Sequence, residues 1–162
     1  TLIALSTGLL AGILFSYDEP QWAGLAVLIG SFFDMIDGAV ARLTDQVTEF
    51  GGILDSVSDR VTDSALYIGV MFGGMASIAE QPPWLLPTLA LVGSFLVSYT
   101  RARGESAGTG KLDVGIAERA ERLLILGFGA LLCVTAYAII IIVVLTVFTI
   151  IQRIWVAQSR LN

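Results

Sequence analysis

From Ala136 to Ile151 the chain runs sixteen residues without a charged side chain. A soluble helix keeps one polar face, whereas a bilayer crossing needs about 20 predominantly apolar residues, so a run of this kind belongs in a membrane. Composition extends the point to the whole chain: 56 % of residues are apolar and only 14 % charged, against about 25 % charged in soluble domains, and the mean hydropathy is +0.83. Six stretches read as membrane-spanning helices: Leu2 to Tyr17, Gln21 to Leu43, Gly52 to Ala79, Trp84 to Thr100, Val114 to Val134 and Ala136 to Trp155. The expected fold is therefore an all-α integral membrane protein, a six-transmembrane-helix bundle forming one domain over residues 1–162. Pro20, Pro82, Pro83 and Pro87 fall at predicted helix starts or in loops, where a missing N–H does little harm.

The chain opens at Thr1 on an apolar segment with no basic stretch before it. A cleavable signal peptide is thus not indicated, and the natural N-terminus is expected further upstream. The single Cys133, placed deep in the fifth span, cannot form an internal disulfide and reads as a small buried hydrophobe.

Basic residues set the orientation. In the six-span topology all nine lie on one side: Arg42 and Arg60 flank the second connection, Arg101 to Arg122 surround the fourth, and Arg153 and Arg160 sit at the end of the sixth span. By the positive-inside rule that side is cytoplasmic. The net charge of −5 is segregated along the chain and does not argue for a charged macromolecular partner. The lipid bilayer is the expected surroundings, and no nucleic-acid partner is expected.

Four aspartates lie on the same side, in the pattern Asp34-x2-Asp37-Gly38-x2-Ala41-Arg42-x8-Gly51-x3-Asp55-x3-Asp59. Eight fixed residues, each at a frequency of about 5–7 %, coincide by chance on the order of once in 10^10 starting positions. Asp34 and Asp37 are three apart and Asp55 and Asp59 four apart, so each pair projects from one face of a helix. Two such faces meeting would gather four carboxylates at membrane depth, a costly arrangement unless cations neutralise it. Hard oxygen ligands suit Mg2+ or Mn2+, and two divalent cations can stabilise both the attacking and the leaving oxygen of a phosphoryl substitution. Pairing of these acids with Arg42 and Arg60 at helix ends is the plain structural reading, and it leaves the glycines unexplained.

The whole pattern resembles the signature of the CDP-alcohol phosphotransferases, membrane enzymes that join a CDP-activated group to an alcohol and release CMP. The resemblance implies that Asp34, Asp37, Asp55 and Asp59 hold metal and that Asp59 is the general base for the acceptor hydroxyl. It further implies that the CDP moiety lies over Asp34, Gly38, Ala41, Arg42 and Gly51. The small side chains of Gly38 and Ala41 suit that role, since they leave a shallow helix surface that a base and ribose can approach. Arg42 suits a diphosphate contact, although a helix-end cation snorkelling to the interface needs no ligand. Asp63 continues the Asp55/Asp59 stripe by one turn and reads as a supporting group or as a partner for Arg60.

A second resemblance concerns the acceptor. The stretch Ser98-Tyr99-Thr100-Arg101-Ala102-Arg103, with Val114-Gly115-Ile116-Ala117-Glu118-Arg119-Ala120-Glu121-Arg122, is similar to the subgroup that uses inositol phosphate. That subgroup makes phosphatidylinositol phosphate in some bacteria and archaetidylinositol phosphate in archaea, which implies a CDP-lipid donor, a phosphorylated polyol acceptor and a prokaryotic cell membrane. A phosphorylated acceptor brings a dianion, and Arg101, Arg119, Arg122 and Arg153, all at cytoplasmic helix ends, are the candidates to bind it. Positive residues belong on this face whatever the substrate, and Glu118 with Arg122, four apart, reads equally as a helical ion pair. Glycerol 3-phosphate and serine stay open as acceptors.

The run Gly104 to Lys111 is not a phosphate-binding Walker loop, because the glycine spacing is one residue too long and Leu112 stands where Ser or Thr is required. A flexible cytoplasmic loop is expected there, with Asp113 as the N-cap of the fifth helix. Gly8-x3-Gly12 and Gly69-x3-Gly73 allow close helix approach. The family resemblance implies a homodimer, to which the third span with Gly69 and Gly73 is the candidate contributor. Two other functions bring acids into a membrane. An aspartate-rich prenyltransferase would leave the Gly, Ala and Arg positions without a role, and a cation transporter would spread its acids through the membrane depth instead of clustering them at one end.

Overall fold

The computed structural model describes residues 2–43, 48–78 and 80–161, with the side chains of 41–43 excepted. The described residues form six helices and no strand: α1 Leu2–Ser16, α2 Pro20–Leu43, α3 Glu49–Gly73, α4 Leu85–Ser106, α5 Arg119–Leu131 and α6 Thr135–Leu161. Their ends have local causes. Asp18, at φ 60°, turns the chain from α1 into α2, whose first residue is Pro20. Thr48 caps α3 by accepting a hydrogen bond from the Gly51 N–H, and Gly74 closes the same helix at φ 67°, a conformation in which a Cβ would be strained.

Helices α2, α4 and α6 are long and apolar enough to cross a membrane. The other three fall short for separate reasons. At a rise of 1.5 Å per residue, α1 with 15 residues and α5 with 13 reach only about 20 Å. Helix α3 has 25 residues but carries Glu49, Asp55, Asp59, Arg60 and Asp63. Large apolar side chains nevertheless point outward on every helix, among them Ile13, Ile29, Phe72, Val92, Phe128 and Phe148. Such an outer surface is at home in lipid and out of place in water.

The helices close a ring. α1 packs on α2 and α3, α2 on α5, α5 on α6, α6 on α4, and α4 returns to α3. Phe15, Leu66, Val70, Ala90, Leu126, Ile139 and Ile142 fill the interior. The α1–α3 contact uses both small-residue pairs at once: a side chain on Gly12 would run into the Ala65 carbonyl, on Gly69 into the Gly12 backbone, and on Gly73 into that of Phe15. Gly69 and Gly73 therefore serve a contact inside the chain and are not a surface for a second subunit.

Between α4 and α5 the structure departs from the sequence reading. Helix α5 starts at Arg119 instead of Val114, because the residues before it are bound elsewhere: the Ile116 and Ala117 N–H groups both donate to Thr149 Oγ1 on α6, and Gly115 sits at φ 126° against that threonine. Asp113 is not the N-cap; it pairs with Arg101 at 2.5 Å. The loop is pinned rather than flexible, since Leu112 and Ala117 are fully buried and Arg160 donates to the Thr109 and Lys111 carbonyls. Cys133 is likewise not in a buried span. With α5 ending at Leu131, it lies exposed in the following turn at φ 56°.

Candidate active site

Helices α2 and α3 carry the aspartates to one place. One oxygen each from Asp34, Asp55 and Asp59 lies within 4.8 Å of the others, and all three residues are half-buried. Oxygens sharing a Mg2+ at about 2.1 Å can be no more than about 4.2 Å apart, so sub-ångström closure of this set accommodates a hard divalent cation. Asp37 is exposed one turn further along α2 and is not among the three converging groups. Of the small positions, Gly38 is half-buried on α2 and Gly51 lies in the capped first turn of α3. Ala41 and Arg42 belong to the helical end of α2, and their side chains, with any nucleotide contact, lie outside the described residues.

Helix α5 brings its first residue to the same cluster. Arg119 Nη1 lies 2.8 Å from Asp34 Oδ2 and 3.0 Å from Asp59 Oδ1, while its Nε faces Asp63 Oδ1 at 3.5 Å. Arg60 reaches Asp59 from the other side at 3.5 Å and donates to the Ser56 carbonyl. These cations offset carboxylates gathered in a poorly solvated place, where an unpaired charge is costly.

The four arginines expected at an acceptor phosphate do share a cavity with the aspartates. A space of about 1230 Å³ is lined by Asp34 and Asp59 and by Arg101, Arg119, Arg122 and Arg153. Their states differ. Arg101 is partly exposed and faces Glu105, Asp113 and Glu118 at 3.1, 2.5 and 3.8 Å. Arg122 and Arg153 are each only 2 % exposed. Arg122 donates to the Ala117 carbonyl and pairs with Asp63 at 3.2 Å. Arg153 ties α6 to α4 and to the α4–α5 connection, donating to the Val97 and Val114 carbonyls and to Glu118 Oε1.

Two pairings read from sequence are thereby replaced. Asp63 partners Arg122 and Arg119, not Arg60, and Glu118 partners Arg153 and Arg101, not Arg122. In both cases the near neighbour along a helix loses to a group brought from another helix. The arginines also have acidic neighbours, Glu105, Asp113 and Glu118, that sequence reasoning did not place at the site; the only signal was their closeness in sequence to the basic residues.

Comparison with known proteins gives the fold and the family. The archaetidylinositol phosphate synthase of Pyrococcus horikoshii is 38 % identical over 162 residues, which is 100 % of this chain and 83 % of that protein. The phosphatidylinositol phosphate synthase of Corynebacterium glutamicum is 37 % identical over 169 residues, 96 % of this chain and 75 % of its own length. The crystal structure of Mycobacterium tuberculosis phosphatidylinositol phosphate synthase in complex with manganese and citrate superposes with a TM-score of 0.85 at 27 % identity, covering 98 % of this chain and 80 % of the other. The same enzyme with CDP-DAG bound gives 0.83 at 28 % identity, covering 96 % and 83 %. A sequence model of the CDP-alcohol phosphatidyltransferases matches residues 1–152, a stretch that takes in α2, α3 and all of their aspartates. On that match, and on a relative 38 % identical along the full length of this chain, the chain is an enzyme of the CDP-alcohol phosphatidyltransferase family.

Proposed function

We propose that this chain works in phospholipid biosynthesis by transferring the phosphatidyl or archaetidyl group of a CDP-lipid to a hydroxyl of inositol phosphate, with release of CMP. The observation that carries the reading is the single cavity in which Asp34 and Asp59 stand beside Arg101, Arg119, Arg122 and Arg153. The arginines are paired with acids, and the partly exposed Arg101 can exchange such a partner for a phosphate dianion, a charge-assisted contact that a neutral alcohol does not make. The names of the relatives support the same acceptor.

In this reading Asp34, Asp37, Asp55 and Asp59 hold two divalent cations, Mg2+ or Mn2+, and the CDP moiety lies over Asp34, Gly38, Ala41, Arg42 and Gly51. When bound, the cations offset the charge of the aspartates and of the lipid diphosphate. Arg101 and Arg119 contact the acceptor phosphate directly. Arg122 and Arg153, whose guanidinium groups already bind carbonyls and acids, add positive charge and hold the cavity wall in place. Asp59 takes the proton from the acceptor hydroxyl as that oxygen bonds to the β-phosphorus, and the bond from this phosphorus to the oxygen of CMP breaks. The six helices sit in a prokaryotic cell membrane as a six-span bundle, with the cavity open to the cytoplasm and the chain paired as a homodimer.

Purified protein incubated with a CDP-lipid, a divalent cation and separate acceptors, with CMP release measured, tests the assignment. Inositol phosphate should support the fastest release. Preference for glycerol 3-phosphate, serine or uncharged inositol would remove the acceptor assignment and leave the family chemistry standing.

A further inference from the structure

Asp63 is a buried acid that the proposed chemistry does not use. It lies one turn beyond Asp59 on α3, is 3 % exposed, and faces two arginines of α5. A carboxylate so placed persists only when its charge is paired. Arg122 does this with Nη2, 3.2 Å from Asp63 Oδ2, and is itself locked by the 2.6 Å bond from Nη1 to the Ala117 carbonyl. The other oxygen, Oδ1, is thereby turned to Arg119 Nε, a buried nitrogen 3.5 Å away with no hydrogen bond of its own.

We infer that the buried Asp63–Arg122 pair positions Arg119, holding the inner edge of its guanidinium so that Nη1 is presented to Asp34, Asp59 and the cavity. Arg119 is the first residue of α5, and a long side chain at a helix start has many rotamers to lose. Asp63 is a fixed ion-pair partner on its inner edge, and Arg122 fixes Asp63 through the backbone of the pinned loop. Arg122 is accordingly a positioning residue that acts through Asp63. The inference rests on Arg119 contacting the acceptor phosphate as proposed above and holds for any phosphorylated acceptor.

A double-mutant cycle on kcat/KM for CMP release, run with whichever acceptor the wild type prefers, tests it. D63N and R119Q should each lower kcat/KM by about 10- to 150-fold, the size expected for one lost charge-assisted contact. The double variant should be no worse than R119Q alone, because Asp63 has nothing left to position. If R119Q falls below detection, R119K serves as the background. If the lone D63N, which strands the Arg122 charge, does not fold, D63N/R122M replaces it, since removing both partners of a buried pair is far milder than removing one. Losses that multiply in the double variant, or wild-type kinetics for D63N or D63N/R122M, overturn the inference. Preference for another phosphorylated acceptor overturns only the inositol phosphate assignment, whereas preference for an acceptor without phosphate overturns both.

Discussion

At the scale of single residues, the aspartates of one cluster divide into different tasks. Asp59→Asn keeps the shape of the side chain and an oxygen for the cations that Asp34, Asp37 and Asp55 chiefly hold but cannot accept a proton, so it should retain metal and CDP-lipid binding while CMP release falls by about 10^2–10^4. Near-normal release would remove Asp59 from the mechanism. Asp34→Asn or Asp55→Asn should instead raise the metal concentration needed for activity, which a metal titration separates from a defect in turnover. The arginines divide in the same way. Arg101 is partly exposed, so Arg101→Gln should raise the acceptor KM with little change in stability. Arg153→Gln leaves the Val114 carbonyl short of its Arg153 donor, whereas the Val97 carbonyl keeps the bond from Thr100 Oγ1. At about 1–3 kcal/mol for each buried group left unsatisfied, it should show chiefly as a lower unfolding temperature in detergent.

Among elements, the tightest junction is α1 against α3, where glycine on one helix meets backbone on the other. Gly69→Leu must push α1 away from the helix that carries Asp55, Asp59 and Asp63. The expected cost is about 1–3 kcal/mol, typical of overpacking, together with reduced turnover from a displaced α3. Thermal unfolding with a parallel CMP assay reads both; an unchanged midpoint would mean that the junction yields easily. The α4–α5 connection shows how an element can be set from a distance. Its helix signal was adequate from Val114 onward, yet Thr149, more than thirty residues later, takes the two N–H groups and holds the segment out of the helix.

On the scale of the whole molecule, the ring of helices gathers a cluster of like charges that the chain itself neutralises in part. Arg119 and Arg60 supply that part. In the reading proposed above a divalent cation supplies the rest, so chelation should abolish CMP release and lower the unfolding temperature, and Mg2+ or Mn2+ should restore both. At a metal concentration one hundred times Kd the stabilisation is about 2.7 kcal/mol. A midpoint that ignores metal while activity depends on it would place the cation in the substrate complex only.

The all-helical nature of the chain and its six segments could be read from the chain in advance, as could the meeting of Asp34, Asp55 and Asp59, although Asp37, expected with them, is not among the three converging groups. Hydrophobic run length and helical spacing are local properties, and the acids declare themselves by recurring every three or four residues. What only the tertiary structure decided were the partners: Asp63 goes to Arg122 and Arg119, Glu118 to Arg153 and Arg101, and the Gly69/Gly73 stripe to α1. Each of these depends on which helices are neighbours in the ring and on their relative depth. A buried charge takes the best-placed counter-charge in space, and nothing in helical spacing says which element will bring it.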